Sequence, residues 1–438
     1  MSAGCNSRKG PRDPRLDFFR GLGMFIILVA HVPDNGWAEA IPARFGFSDA
    51  TEIFVFCSGA ASALAFGRVF ETVGWTLGCA RIVYRMWQIY WAHVGVFTVT
   101  VAVLAGADHL FATDHYLRRD LNLWPFLDDP ARRLLEFATL TYVPNYFDIL
   151  PMYLVILGLI PAVVRTARLG PCAVGVLVAS LWLVASLGWL DFTAETWSGR
   201  VWFFNPFSWQ LLFFFGFAFG RGWLAPPAYD PLLIAAACAV LAAAAPFSCH
   251  HGWSCFAGYG FVPWFGEVHQ ALSPLIDKTH LGALRVLHFL ALAYIAYVTA
   301  GEGGRRLSGT LVVQVSRVGR QTLAVFLSGL VLAQALGVVL DLTGRTLTTV
   351  ALANLAGCAM LMLVAATVEW FKGSPWSAAR SDHHASLVPL DADAAPTRAS
   401  RACIPAAFGL SRFSYAIVAS RKHGLDRLLR ASSTGEPR

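Results

Sequence analysis

Charge is what this chain has least of. Only 14% of its 438 residues are Asp, Glu, Lys or Arg, against about 25% in soluble globular proteins, which excludes the two or three soluble domains expected at this length. Nine cysteines are present, none in a CxxC pair. Cys57, Cys79, Cys172, Cys238 and Cys358 lie inside apolar runs, where a thiol behaves as a small hydrophobe, so no metal framework is expected. The chain also lacks a duplicated half and a matched pair of Gly/Pro-broken apolar segments, which counts against a transporter. Its formal charge of +7 reads as membrane topology and not as a nucleic-acid partner, because excess Lys and Arg gathers in cytoplasmic loops of membrane proteins.

What the chain has in quantity is apolar sequence, 56% of all residues. Runs long enough to cross a bilayer, about 17 to 25 residues, fall near 16–33, 51–70, 82–106, 147–165, 171–190, 207–223, 230–247, 283–300, 319–340 and 349–371. The sixth and seventh are the least secure of the ten. The expected fold class is all-α, a polytopic integral membrane protein of about ten transmembrane helices. With both termini cytoplasmic, about fifteen Lys and Arg fall inside and about eight or nine outside; Arg165/Arg168 and Arg305/Arg306/Arg317/Arg320 decide the orientation. Residues 1–15 form a basic cytoplasmic N-terminus (Arg8, Lys9, Arg12, Arg15), 16–372 the membrane domain, and 373–438 a cytoplasmic tail too poor in apolar residues to fold alone. Within that tail RKHGLDRLLR reads as a solvated segment or as a basic helix lying on anionic lipid. The basic start and first apolar run share the outline of a signal peptide, with Ala38-Glu39-Ala40 as a cleavage site. Arg20 interrupts that run and Pro33-Asp34-Asn35 separates it from the site, so a retained first span is expected.

The first span, LDFFRGLGMFIILVAHVPDN, carries Arg20 near its start and His31 near its end. An ionisable side chain inside a membrane is costly, about 2.5 to 3.5 kcal/mol at the centre, and usually faces a partner, cavity or site. Eleven helical positions amount to about 1100° and a rise of about 16.5 Å, so the two share one face at different depths. His31 is the strongest candidate for a base near neutral pH. Asp34 lies one turn beyond it. Glu52 opens the second span, where it either orients His31 or serves as a helix N-terminal acid beside Asp49. Arg81 and Arg85, one turn apart at the start of the third span, either bind phosphates or anchor the helix.

Two outer segments, 107–146 and 248–282, are rich in aromatic, His and acidic residues, which suits either a sugar-binding surface or an interfacial belt. Pro151, Pro161 and Pro206 lie in or at the mouths of spans, where freed carbonyls need partners. In the second segment Cys249-His250-His251 and Cys255 are open to three readings: a disulfide between the two cysteines, two free thiols, or, on weak spacing, a metal site.

Arg20, ten intervening residues and His31, then EIFVFCSG with its leading acid, then RMWQIY at the third span, resemble the membrane acyltransferase family 3 pattern. Within it, IPARFGFSDATEIFVFCSG, YFDILPMYLVILGLIP, NPFSWQLLFFFGF and KTHLGALRVLHFLALAY resemble the OpgC family, associated with succinylation of osmoregulated periplasmic glucans. The resemblance runs from about Arg15 to about Trp376. It implies that His31 is catalytic with Glu52 as an acid, that Arg20, Arg81 and Arg85 bind the acyl donor, and that Asp148 and Tyr146 meet the acceptor; Asp34 joins the catalytic set by its position one turn beyond His31. Glu52 stands where the wider family commonly has Asp.

The implied reaction is transfer of succinyl from succinyl-CoA, a co-substrate and not a bound cofactor, to a sugar hydroxyl of a periplasmic glucan. His31 would act as base for direct attack or carry a transient acyl group. The implied location is the bacterial inner membrane, with glucan, acyl-CoA and bilayer as partners and no nucleic acid. Two other readings stay open: acetyl transfer to another envelope polysaccharide, and a glycan or acyl-carrier transporter.

Overall fold

The structure is a computed structural model that describes residues 13–119, 121–248 and 263–376. The basic residues before Asp13, the Cys249–Cys255 loop and the tail with RKHGLDRLLR lie outside the described residues. The first half of the chain forms α1 (Pro14–His31), α2 (Ala50–Phe66), α3 (Val69–Thr72), α4 (Trp75–Phe111), α5 (His115–Arg118), α6 (Trp124–Asp128), α7 (Pro130–Ala138) and α8 (Ile149–Thr166). Next come α9 (Pro171–Ser186), α10 (Pro206–Arg221), α11 (Pro231–Ser248) and α12 (Pro263–Ile276). The last four are α13 (Ala283–Ala300), α14 (Thr310–Arg320), α15 (Thr322–Thr343) and α16 (Leu347–Lys372). Among the described residues there is no strand, only an isolated bridge between Thr193 and Val201.

Every one of the ten apolar runs falls in helix, and among the described residues seven helices are long and apolar enough to cross a membrane: α2 continued through α3, α4, α8, α11, α13, α15 and α16. The seventh run, expected to be insecure, is among them as α11. The shortfall has two physical causes. α9 and α10 have 16 residues each, below the span of a bilayer core. α1 carries Arg15, Asp17 and Arg20 in 18 residues, so the charges that mark it as functional also dilute its apolar character. α4 is longer than expected, at 37 residues or about 55 Å, so Arg81 and Arg85 lie inside it and do not open it. The first turn of α1 and the last turn of α16 lie at the same end of the bundle, since both meet α14: Gly319 lies against Asp17, while Arg320 pairs with Glu369 at 2.9 Å.

Two crossings bring backbones into contact. A Cβ on Gly59 of α2 would lie 1.8 Å from the Phe213 carbonyl oxygen of α10, and one on Gly216 of α10 would lie 2.0 Å from that of Phe56. Small residues let helices approach where no hydrophobic force drives them together in lipid. The Ser58-Gly59 pair and the NPFSWQLLFFFGF stretch are thus two halves of one crossing. α1 meets α14 in the same manner at Gly21 and Gly319.

At the end of the bundle where α1 finishes, three loops are knitted into a cap. Asn145 N–H donates to Leu121 O at 3.1 Å, Val143 N–H to Ala194 O at 2.8 Å, and Trp202 N–H to Phe192 O at 2.8 Å. Beneath it Phe97 stacks on Phe137 at 4.0 Å and meets Phe126 and Phe147 edge-on. Gly59→Leu is expected to lower stability by at least about 1 to 3 kcal/mol through overpacking. Gly175→Ala, whose added Cβ meets nothing within 4 Å, should be neutral or stabilising; thermal unfolding in detergent measures both.

Candidate active site

His31 is the last residue of α1 and is half-buried. Its Nδ1 lies 2.7 Å from the Ile27 carbonyl oxygen one turn back. A carbonyl only accepts, so Nδ1 carries the proton and the neutral ring offers its lone pair at Nε2. The helix itself sets the tautomer. Tyr146 packs edge-on against this ring, centroids 4.8 Å apart, from a backbone at φ 69°. That left-handed conformation costs a bulky residue about 1 to 3 kcal/mol and persists only where surroundings impose it.

The charges of Lys278 and Asp49 reach the imidazole, and they belong to a buried network. Asp49 and Glu52 form a capping box at the start of α2: Thr51 N–H donates to Asp49 Oδ1 at 2.7 Å and Asp49 N–H to Glu52 Oε2 at 2.8 Å. Glu52 is fully buried. Its Oε1 accepts from Arg285 Nε at 2.8 Å and Nη2 at 2.6 Å. Lys278 Nζ lies 2.5 Å from Asp49 Oδ2. Burial alone would raise the pKa of Asp49, but the charges of Lys278 and Arg285 prevail and hold it well below the ordinary carboxylate range. One turn along α13 from Arg285, His288 meets Ser48 Oγ at 2.7 Å, packed so tightly that a Cβ on Gly46 would lie 2.1 Å from Nε2.

The other expected site residues are placed as follows. Glu52 serves as the helix N-terminal acid and as the partner of Arg285; both its oxygens are engaged there and not on His31. Asp34 is exposed and pairs with Arg119, which also holds Asp341 at 2.9 Å. Asp148 is buried, with Oδ1 accepting the Phe203 N–H at 3.1 Å, so it fastens the 191–203 loop to the mouth of α8. The charge of Arg20, with that of Asp17, reaches Cys57 on α2. Arg81 lays its guanidinium 5.8 Å from the ring centre of Phe66, about 21 Å along α2 from Glu52. Arg85 donates to Gln88 Oε1 at 3.1 Å. The structure therefore brings His31, Tyr146, Asp49 and Glu52 to one end and sets Arg20 and Arg81 toward the other.

Lys278, Arg285 and His288 are the functional candidates missed from sequence. Arg285 and His288 are ionisable residues one turn apart in an apolar run, the same signal that singled out Arg20 and His31. Nearby, His280 bridges Asp277 at 2.7 Å and Asp191 at 2.9 Å, joining the turn before α13 to the loop before α10. Burial disfavours its charged form, but the two aspartates outweigh burial and hold its pKa above the ordinary 6.5.

A bundle of helices long and apolar enough to cross a membrane, with an oriented imidazole beside a buried charge network at one mouth, defines a polytopic membrane protein. The family model described as OpgC protein matches residues 12–373, and the chain belongs to the OpgC family. Membership points to an acyltransferase-type enzyme acting in glucan modification. No curated protein and no solved structure matches the chain.

Removing one partner of a buried ion pair strands the other. Arg285→Ala is expected to cost about 3 to 5 kcal/mol, most of it recovered by adding Glu52→Gln, as unfolding of the single and double variants measures. The His280 clamp carries the opposite pH sign to a paired carboxylate. Its contribution is full below about pH 6.5, the unfolded value, and is lost as pH rises through the raised folded value. Wild-type stability should fall over that window more steeply than that of His280→Gln, in melting curves taken at stepped pH.

Proposed function

We propose that this chain is an inner-membrane O-acyltransferase that moves succinyl from succinyl-CoA to a sugar hydroxyl of a periplasmic glucan. The observation that carries the reading is the fixed tautomer of His31, whose Nε2 lone pair is available at the end of α1 beside the cap. A sugar hydroxyl placed there loses its proton to Nε2 as its oxygen attacks the thioester carbonyl. The C–O bond forms, the C–S bond breaks, and the imidazolium returns the proton to the departing thiolate of CoA. Base catalysis of this kind contributes about 10² to 10⁴ in rate.

The donor is made in the cytoplasm and the acceptor lies outside, so the site must be reachable from both. The positive-inside bias supports placing the first turn of α1 in the cytoplasm. Arg20, Arg81 and Arg85 then hold the phosphates of CoA at the inner end, with the pantetheine arm running along the about 16.5 Å between Arg20 and His31. Lys278, whose charge reaches the His31 ring, supplies positive charge where the tetrahedral oxyanion develops. Acceptor sugars reach His31 past Tyr146.

Purified protein with succinyl-CoA and glucan, and no ion gradient, should yield succinylated glucan by mass spectrometry. His31→Ala should lose about 10²-fold or more of this activity with an unchanged melting temperature. Undiminished transfer by a folded His31→Ala protein would rule out the assignment of His31.

A further inference from the structure

An open cleft of about 480 Å³ lies in the cap, within the usual size of small-molecule sites, about 300 to 1,000 Å³. Its walls come from three separate stretches: Arg118, Arg119, Asn122 and Trp124 from the end of α5 and the segment after it, Asn145 from the segment before α8, and Glu195 and Arg200 from the loop before α10. The polar groups are already organised. Glu195, 6% exposed, accepts from Asn122 Nδ2 at 2.9 Å and Arg200 Nη2 at 3.0 Å. Arg200 also donates to Val143 O at 2.7 Å. Trp124 stands at the rim with 42% of its surface exposed.

Two routes join this cleft to His31. Asn145 is followed in the chain by Tyr146, whose ring edge rests on the imidazole. Arg119 pairs with Asp34, three residues beyond His31. Asn122 and Tyr146 both adopt left-handed backbone, φ 54° and 69°, and non-glycine residues held there concentrate at binding and active sites.

We propose that this cleft is the acceptor subsite, holding the sugar rings that flank the hydroxyl to be acylated; the assignment of that hydroxyl to acylation rests on the function proposed above. An indole face beside a carboxylate, amides and a guanidinium fits a hexose ring, which is apolar on its faces and rich in hydroxyls at its edge. The occupant is an oligosaccharide and not a small anion, because Arg118, Arg119 and Arg200 are each paired with a carboxylate. Sugar hydroxyls donate to Glu195 and accept from Asn122, Asn145 and Arg200, while Trp124 stacks on a ring.

The test is direct binding of a glucose oligosaccharide of about six units to the full-length protein in nanodiscs, by saturation-transfer NMR and calorimetry without acyl-CoA. Trp124→Ala should weaken binding about tenfold, the size of a stacking contact with its buried area. Trp124→Phe should restore most of it, and Trp189→Ala, 74% exposed outside the cleft, should bind as wild type. Inorganic phosphate should not displace the sugar. Wild-type affinity in Trp124→Ala, no binding by wild type, or displacement by phosphate overturns the subsite. Binding lost in Trp124→Ala but without transfer of succinyl to the bound sugar by wild type supports the subsite and overturns the acyltransfer reading alone.

Discussion

The buried pair of Glu52 and Arg285 is the constraint on which the mouth of this bundle depends. Glu52 has no exposed surface, and a carboxylate taken from water needs compensation worth several kcal/mol. Arg285 provides it in two hydrogen bonds, so the starts of α2 and α13 are locked in register. The second oxygen of Glu52 closes the capping box on Asp49, and Asp49 in turn draws in Lys278. Through that chain of charges the turn before α13 is fixed against the start of α2, within electrostatic reach of His31. A hydrophobic contact would hold the helices together without fixing direction; hydrogen-bonded charge fixes both.

Around this anchor the structure divides labour between packing and chemistry. Gly59 and Gly216 let α2 and α10 touch, which places the N-terminus of α10 beside the loop that ends in Asn205. Asn205 caps α10 and also holds Leu190 and Asp191. The cap is therefore a fitted lid of three loops, tied down by Asp148 and Asn205 rather than by a sheet. His31 needs none of these carboxylates to choose its tautomer, since the Ile27 carbonyl does so. The nearby charges are instead committed to one another, Glu52 to Arg285 and Asp49 to Lys278.

Much of the helical content was legible because lipid imposes a simple rule: apolar runs of sufficient length become helices. The runs at 283–300 and 349–371 read directly as α13 and α16. The count of spans was less legible where charge and shortness blurred the pattern, in α1, α9 and α10. His31 and Glu52 stood out in the sequence because an ionisable group in such a chain needs a reason, and Tyr146 through the family resemblance; the structure brings all three to one end of the bundle. Asp34 follows His31 by one turn of sequence, but the helix ends at His31 and Asp34 pairs with Arg119, a partner that the local pattern does not show. Lys278 and Arg285 find their partners, Asp49 and Glu52, more than 200 positions away, and Glu195 and Arg200, though five positions apart, meet Asn122 and Val143 of other loops, so their grouping could not be read locally.

By itself the sequence determined that this is a helical membrane protein of the OpgC family and that its first helix carries a histidine at one end and an arginine toward the other. Those follow from local rules, since solvent preference, helical period and motif order are all properties of neighbouring residues. Only the tertiary structure decided which acid meets which base, that Ser58-Gly59 is a packing device, and that the cap holds a polar cleft. Charge pairing and close backbone approach depend on distances in space, and a sequence does not contain them until the helices have packed. The mouth of the bundle beside His31 is where both kinds of information meet.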